Sequence, residues 1–347
     1  MRDMNFTSEE IDSLIKERCE KILNKFGQVA VSGVKEPKLL AALNDVKKYW
    51  RDFNRPSLTF FSCEAVGGTY EISQDAALMF TLASSGFGIH DDILDKTKNK
   101  HLRSTILGLH GIDTALLIGD LLIVKAWTIA HELITKTNDP KKIADVLKVY
   151  GNLSVEICEA EFMETQCRKK VDTDIKFYEK ILWKEMAETE ACSRIGAMIG
   201  GGKPSEIEAL ADFGRSLGFL SRLANEVEDC LNVKGDLAHR IKYESIPLPL
   251  LYAAKTSETV RKKIKKIVNK KEISISDIEV LSEICFDNQA FEYVNNLAKK
   301  KGKEAYHKLS ELKPSLSRTL LLATAIQANA RVDLLCNQSL EHSLPTS

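Results

Sequence analysis

The stretch SGFGIHDDILDKTKNK, residues 85–100, places three carboxylates directly after an apolar segment, residues 76–89, that carries no charge. On a helix, Asp91 and Asp95 would lie one turn apart on one face, with Asp92 beside Asp91. Buried carboxylates are costly unless they are paired or bind a cation, and Mg²⁺ combines one or two carboxylates with phosphate oxygens and water. The stretch therefore indicates a magnesium site for a diphosphate or, alternatively, a polar helix end with local ion pairs.

Length and charge bound the class of protein. The chain has 347 residues, and 49 Lys and Arg residues balance 49 Asp and Glu residues. A formal charge of zero provides no global field that would attract nucleic acid or an anionic membrane. We therefore expect no nucleic-acid partner.

Cysteine usage and hydropathy indicate a cytoplasmic protein. The eight cysteines are scattered without metal-type spacing, which favours buried thiols in a reducing compartment. The N-terminal MRDMNFTSEE lacks the pattern of a signal peptide. The most apolar run, 114–130, is interrupted by Asp120 and Lys125, so we expect no membrane span.

Hydrophobic periodicity predicts an all-α fold. No stretch shows sustained period-two alternation, and no linker or repeat divides the chain, so one domain over residues 1–347 is the simplest account. Segments 73–90 and 114–130 are apolar nearly all round, which places them in the centre of a bundle. The Lys-rich stretch 261–271 indicates a solvated helix face. The predicted helices are 38–50, 57–66, 73–95, 111–134, 141–170, 173–200, 205–234, 246–256, 288–312 and 315–335.

A second acidic cluster lies in NEVEDCLNVKGD, residues 225–236. Glu228, Asn232 and Asp236 are spaced i, i+4 and i+8, which predicts one helix face, and Asp229 flanks Glu228. Carboxylate and amide oxygens both bind hard cations. The two clusters together are expected to hold two or three Mg²⁺ ions around a diphosphate; the alternative is a polar helix turn.

Both clusters resemble a known family. HDDILD at 90–95, followed by GD at 119–120, is similar to the first aspartate-rich region of the trans-isoprenyl diphosphate synthases. The resemblance covers roughly residues 20–335. It implies one isoprenoid synthase bundle around a deep apolar cavity, a homodimer, and an allylic prenyl diphosphate as substrate. Further matching positions are Lys100-His101, Thr105, Ala115 to Asp120, Tyr178, Lys184, 228–232, Ser245 and Pro247.

The resemblance also implies roles for individual residues. Asp91, Asp92, Asp95 and Lys184 are the expected catalytic residues. The expected metal ligands are Asp91, Asp92, Asp95, Glu228, Asp229, Asn232 and Asp236. The expected diphosphate-binding residues are Lys100, Arg103, Lys184 and Arg55.

Several positions depart from the family pattern on the side that binds isopentenyl diphosphate, the acceptor. The family motif GGKRxRP becomes WRDFNRP at 50–56, with Asp52 and Phe53 in place of a Lys and an Arg. The acceptor-binding His falls at about Ser84. Acidic and apolar residues there should weaken binding of a second diphosphate.

These departures favour a Mg²⁺-dependent class I terpene synthase that ionises an allylic diphosphate and consumes the carbocation internally. The spacing of Glu228, Asn232 and Asp236 is similar to the metal-binding triad of class I terpene synthases. A chain-elongating prenyltransferase with a rebuilt acceptor site is the alternative, in which Lys48, Arg51 or Arg55 takes over. A non-catalytic subunit of a prenyltransferase heteromer is the third possibility.

Substrate length is expected to depend on residues four and five before the first motif aspartate, which are Phe87 and Gly86. In the family these positions form part of the cavity floor. One aromatic ring among small residues predicts a preference for farnesyl to geranylgeranyl diphosphate (C15–C20).

Overall fold

The computed structural model describes residues 8–100, 103–135 and 139–341, and this part of the chain is almost entirely helical. The one sheet in it is a two-stranded antiparallel hairpin of β1 (Asn99–Lys100) and β2 (Arg103–Ser104). The all-α prediction is confirmed. The helices are α1 (Ser8–Val31), α2 (Pro37–Tyr49), α3 (Asn54–Ala65), α4 (Tyr70–Leu94), α5 (Ile106–Thr135), α6 (Pro140–Thr165), α7 (Ile175–Glu185), α8 (Ala187–Ile199), α9 (Pro204–Cys230), α10 (Leu237–Tyr243), α11 (Leu248–Thr256), α12 (Glu258–Val268), α13 (Ile275–Asp287), α14 (Ala290–Ser310) and α15 (Leu316–Glu341).

The helix boundaries differ from the prediction where the backbone turns. The segment predicted as one helix over 205–234 ends at Cys230, because Asn232 and Gly235 adopt φ angles of +52° and +79°. A right-handed helix cannot continue through the left-handed region. The segment 173–200 divides at Met186 into α7 and α8.

The chain forms two compact units. The first contains the chain up to Asn152, Thr189–Gly214 and Leu309–Leu321, and the second contains Leu153–Glu188, Arg215–Lys308 and the chain from Leu322 onward. The predicted single domain with its core over 20–335, and the predicted deep apolar cavity, remain predictions.

Within the first unit, α4 is the central helix and packs against α3 and α5. Its residues from Ala76 to Gly86 are all buried, as the apolar sequence predicts. The α4–α5 approach is close because small residues meet there. A Cβ on Gly86 would lie 2.7 Å from the carbonyl oxygen of Gly119.

Helix α5 differs from its predicted central position, since much of its apolar surface is exposed. Six of its large apolar side chains are between 38% and 60% exposed: Leu109, Ile112, Leu116, Leu117, Val124 and Trp127. By length and composition, Ile106–Leu133 passes as a candidate membrane span, a test that core helices of soluble proteins also pass. The absence of a membrane span therefore remains a prediction.

The second unit has its own apolar core, to which α7, α9, α11, α13 and α14 contribute. Helix α12, which includes most of the Lys-rich stretch, buries Ile264, Ile267 and Val268 in this core and leaves its lysines exposed. The predicted solvated face is confirmed.

Candidate active site

The first acidic cluster lies at the C-terminal end of α4. Asp91 and Asp92 belong to the last turn, and Asp95 caps the helix, its backbone N–H donating to the carbonyl of Asp91 at 2.9 Å. Helical geometry thus extends to Asp95, and the predicted one-turn separation of Asp91 and Asp95 is confirmed. Asp92 is buried, whereas the Asp91 side chain is 39% exposed.

The β1–β2 hairpin brings two cations to this helix end. Lys100 Nζ lies 2.6 Å from Asp92 Oδ1 and 3.7 Å from Asp91 Oδ2. Burial opposes the charge on Lys100, but Asp91 and Asp92 outweigh it and raise its pKa. Burial also raises the pKa of Asp92, against the pull of Lys100. Arg103 donates to the carbonyl of Tyr49 at 2.8 Å and stacks over that ring.

The positions that depart from the family pattern form a contact of their own. Asp52 is buried, and its Oδ2 lies 3.5 Å from Ser84 Oγ and 3.5 Å from a guanidinium nitrogen of Arg55. Its Oδ1 accepts the backbone N–H of Asn54 at 2.9 Å at the start of α3. Asp52 therefore has a structural role at this helix start, and Arg55, predicted to bind diphosphate, is paired with it.

A cavity of about 140 Å³ in the first unit lies beside the acidic cluster. Trp50, the C-cap of α2, lines it, and its ring packs on Gly88, where an added Cβ would lie 3.1 Å from the ring edge. The full lining is Val46, Tyr49, Trp50, Gly88, Ile89, Asp92, Lys100, Arg103, Ser104, Thr105 and Ile106. A carboxylate and two cations thus share a small cavity.

In the second unit the predicted one-face arrangement of Glu228, Asn232 and Asp236 is wrong. Because α9 ends at Cys230, Asn232 lies in the following turn, and its Oδ1 accepts the N–H of Leu237 at 3.1 Å. Asp236 occupies the N-cap position of α10. Only Glu228 and its neighbour Asp229 remain on the helix.

The two carboxylates that remain on α9 are held by cations. Glu228 contacts Arg331 and lies 2.9 Å from Lys234; burial opposes its charge, but these cations outweigh it and lower its pKa. Asp229 pairs with Arg240. Binding of metal by Glu228 or Asp229 would require exchange of these partners.

Lys184, in the last turn of α7, lies 3.0 Å from Glu159 and 3.8 Å from Glu156. Arg215 donates to Glu156 as well, at 2.9 Å. The predicted role of Lys184 as a diphosphate contact therefore requires its ammonium group to separate from two carboxylates of α6, Glu156 and Glu159.

A buried charge network in the second unit is what sequence reasoning missed. Arg240, 2% exposed, contacts Glu226 and Asp229 and donates to the Tyr178 hydroxyl at 3.0 Å. Tyr178 and Ser245 are hydrogen-bonded at 2.8 Å. Separations of 14 and 62 residues leave no local sequence pattern that would have linked Arg240 to Glu226 or Tyr178.

The acidic cluster of α4 fits a hard divalent cation in its donor chemistry. Asp91, Asp92 and Asp95 offer only carboxylate oxygens within one turn, as Mg²⁺ prefers. Among the described residues, no three His, Cys, Asp or Glu side chains converge on a ready-made metal site. Lys100 pairs with Asp92 of this cluster, while His101 lies outside the described residues.

The two predicted chain-length residues lie in different surroundings. Phe87 is partly exposed, whereas Gly86 is buried and faces α5, where the backbone of Gly119 and the side chain of Ile123 leave no room for a Cβ. This glycine serves the close approach of α4 and α5, and its predicted position on a cavity floor stays a prediction.

We expect Gly86→Ala to lower the free energy of unfolding by about 1–3 kcal/mol, as overpacking does, without altering product length. Chemical denaturation measures the first effect and chain-length analysis the second. Gly151→Ala is the matched control, because its added Cβ would meet only the Trp127 ring, at 3.7 Å. A Gly86→Ala variant as stable as the parent would contradict this packing.

Comparison with known proteins identifies the family of the chain. The polyprenyl synthetase family model matches residues 51–285. A short chain isoprenyl diphosphate synthase of Methanothermobacter thermautotrophicus is 32% identical over 179 residues, 51% of this chain and 54% of that protein. A geranylgeranyl diphosphate synthase of Methanosarcina mazei is 27% identical over 275 residues, 78% of this chain and 83% of that protein.

A solved structure shows the same fold. Geranylgeranyl pyrophosphate synthetase from Pyrococcus horikoshii superposes with a TM-score of 0.81 at 26% identity, covering 92% of this chain and 98% of its own. The helical fold and these comparisons define an all-α synthase fold. The chain belongs to the polyprenyl synthetase family, as its motifs predict.

Proposed function

We propose that the protein is a chain-elongating trans-prenyltransferase that joins an allylic prenyl diphosphate to isopentenyl diphosphate, with products of farnesyl to geranylgeranyl length. The observation that carries this proposal is the cluster of Asp91, Asp92 and Asp95 at the end of α4, with Lys100 across from it. The first curated relative is matched over about half its length, and the second, a geranylgeranyl diphosphate synthase, over most of it.

Two observations favour elongation over the terpene synthase that the sequence alone suggested. The relatives reported above are named as isoprenyl or geranylgeranyl diphosphate synthases. The spacing of Glu228, Asn232 and Asp236 also no longer indicates a metal-binding triad on one helix face, because α9 ends at Cys230. The altered acceptor residues Asp52 and Ser84 contact each other, so they need not indicate a lost reaction.

The residues of α4 and of the β1–β2 hairpin have different roles at the donor side, where the allylic diphosphate would bind. Bound Mg²⁺ would act as a Lewis acid on the leaving diphosphate. Asp91, Asp92 and Asp95 would hold it, and Lys100 and Arg103 would neutralise phosphoryl oxygens beside it. The diphosphate contact of Lys184 stays a prediction. Exclusion of water protects the allylic cation until the acceptor double bond attacks it, which forms the new C–C bond and a second cation that then loses a proton to a base such as the released diphosphate.

Product analysis tests the proposal. The protein is incubated with Mg²⁺ and farnesyl diphosphate, with and without isopentenyl diphosphate, and the products are identified by mass spectrometry. We expect geranylgeranyl diphosphate only when isopentenyl diphosphate is present. Hydrocarbons formed from farnesyl diphosphate alone would instead establish a terpene synthase, and no turnover of any allylic substrate would favour the non-catalytic subunit.

Phe87 is the residue expected to limit product length. We expect Phe87→Ala to raise the ratio of products one isoprene unit longer than geranylgeranyl about tenfold, because the removed ring leaves room for the chain. Products are separated by chromatography, with melting curves measured in parallel. A variant that loses stability but keeps the parent product ratio would place Phe87 away from the substrate.

We also propose a cytoplasmic location and a homodimer, and the exposed apolar side chains of α5 support the homodimer. Groups of exposed large apolar side chains can mark interaction surfaces. Replacing Leu117, which is 60% exposed, by Lys should shift the protein from dimer to monomer in light scattering. A monomeric parent protein that sediments with lipid vesicles would instead identify this face as a membrane contact.

A further inference from the structure

Trp50 occupies a position at which the family pattern has glycine. Its side chain carries a hydrogen-bond donor in an unusual environment. Its indole N–H is buried and finds no hydrogen-bond acceptor among the described residues. Leaving a buried donor unpaired is costly, and such groups call for a specific explanation. The rest of the side chain is well placed, with its ring packed on Gly88.

The surroundings of Trp50 identify the missing acceptor by its chemistry. Trp50 lines the 140 Å³ cavity together with Lys100 and Arg103. This polar-lined volume has room for several waters and therefore for a phosphoryl group. Two cations and a buried N–H donor all favour an anionic oxygen ligand. Asp92, which also lines the cavity, would provide a ligand for an accompanying Mg²⁺.

We propose that the indole N–H of Trp50 is a diphosphate-binding group particular to this chain, donating to a phosphoryl oxygen that Lys100 and Arg103 neutralise. The assignment of the ligand as a substrate diphosphate rests on the proposed function. Trp50 then adds one neutral donor to the two cations that bind this diphosphate.

The test uses the full-length protein, with Mg²⁺ and inorganic diphosphate as the probe. Trp50→Phe keeps a ring on Gly88 and removes only the N–H and the indole shape. We expect a dissociation constant about tenfold higher in calorimetry, as for loss of one hydrogen bond to a charged group. Tryptophan fluorescence should respond to the probe in the parent and not in Trp50→Phe. Trp127→Phe and Trp183→Phe are the controls and should keep both the affinity and the response.

Steady-state kinetics with the two substrates distinguish the sources of the diphosphate. A higher KM for isopentenyl diphosphate alone assigns Trp50 to the acceptor, and a higher KM for the allylic substrate alone assigns it to the donor. Unchanged affinity and a retained fluorescence response in Trp50→Phe would overturn the inference even if the parent elongates. Failure of the parent to bind the probe would overturn it too. A parent that makes only hydrocarbons but binds the probe through Trp50 would overturn the proposed function and leave this inference standing.

Discussion

Asp91→Ala should abolish turnover while the fold persists. Its carboxylate is a proposed metal ligand, and removing one group that stabilises developing charge typically costs about 1000-fold in rate. Stability should change by less than about 1 kcal/mol, because the side chain is partly exposed and its ion-pair partner Lys100 is 3.7 Å away. Asp91 also lies beside Asp92, so its removal relieves repulsion between like charges.

Steady-state rates over a range of Mg²⁺ concentrations, together with a denaturation curve, measure both effects. Asp113→Ala is the matched control, since this exposed carboxylate lies on α5 outside the acidic cluster. Activity of Asp91→Ala within tenfold of the parent would remove Asp91 from the metal site.

Arg240→Met should cost about 3–5 kcal/mol of unfolding free energy, the usual effect of leaving buried charges without their partner. Arg240 is almost fully buried and contacts Glu226, Asp229 and Tyr178. Burial opposes its charge, yet Glu226 and its other partners raise the pKa of Arg240 well above the ordinary value. The variant would leave Glu226 buried with only a more distant cation, Arg222, at 3.6 Å.

Equilibrium denaturation measures this loss, and Arg261→Met is the control. Arg261 is an exposed arginine of α12 with two acidic partners, Asp172 and Glu258, so its replacement should cost less than about 1 kcal/mol. The double variant Arg240→Met with Glu226→Gln should recover part of the lost stability. Equal stabilities for Arg240→Met and Arg261→Met would show that the network contributes nothing.

The sequence was sufficient for the helical fold and for the first acidic cluster because both depend on local patterns. An apolar run that ends in spaced acids defines a helix and its end, and Asp91, Asp92 and Asp95 lie there. The pairing of Lys100 with Asp92 could not be predicted from the sequence, since it depends on the path of a short hairpin.

The predicted one-face arrangement of the second cluster is wrong for a physical reason that is partly visible in the sequence. Helical spacing was extended through Asn232 to Asp236, although Gly235 is a helix-terminating residue. Charge partners distant in the chain, such as Arg331 for Glu228, leave no local signal. Asp52 and Ser84, which contact each other, likewise lie 32 residues apart in the chain. The sequence therefore showed two separate departures from the family pattern, whereas the structure shows one arrangement.

The stoichiometry of diphosphate release tests the central claim most directly. The protein is supplied with an allylic diphosphate, Mg²⁺ and isotope-labelled isopentenyl diphosphate, and both released diphosphate and label in the prenyl diphosphate product are counted. Chain elongation predicts that each diphosphate released is matched by one labelled unit incorporated, and that release stops when isopentenyl diphosphate is omitted. Continued release without isopentenyl diphosphate, with no label incorporated when it is present, would contradict the account.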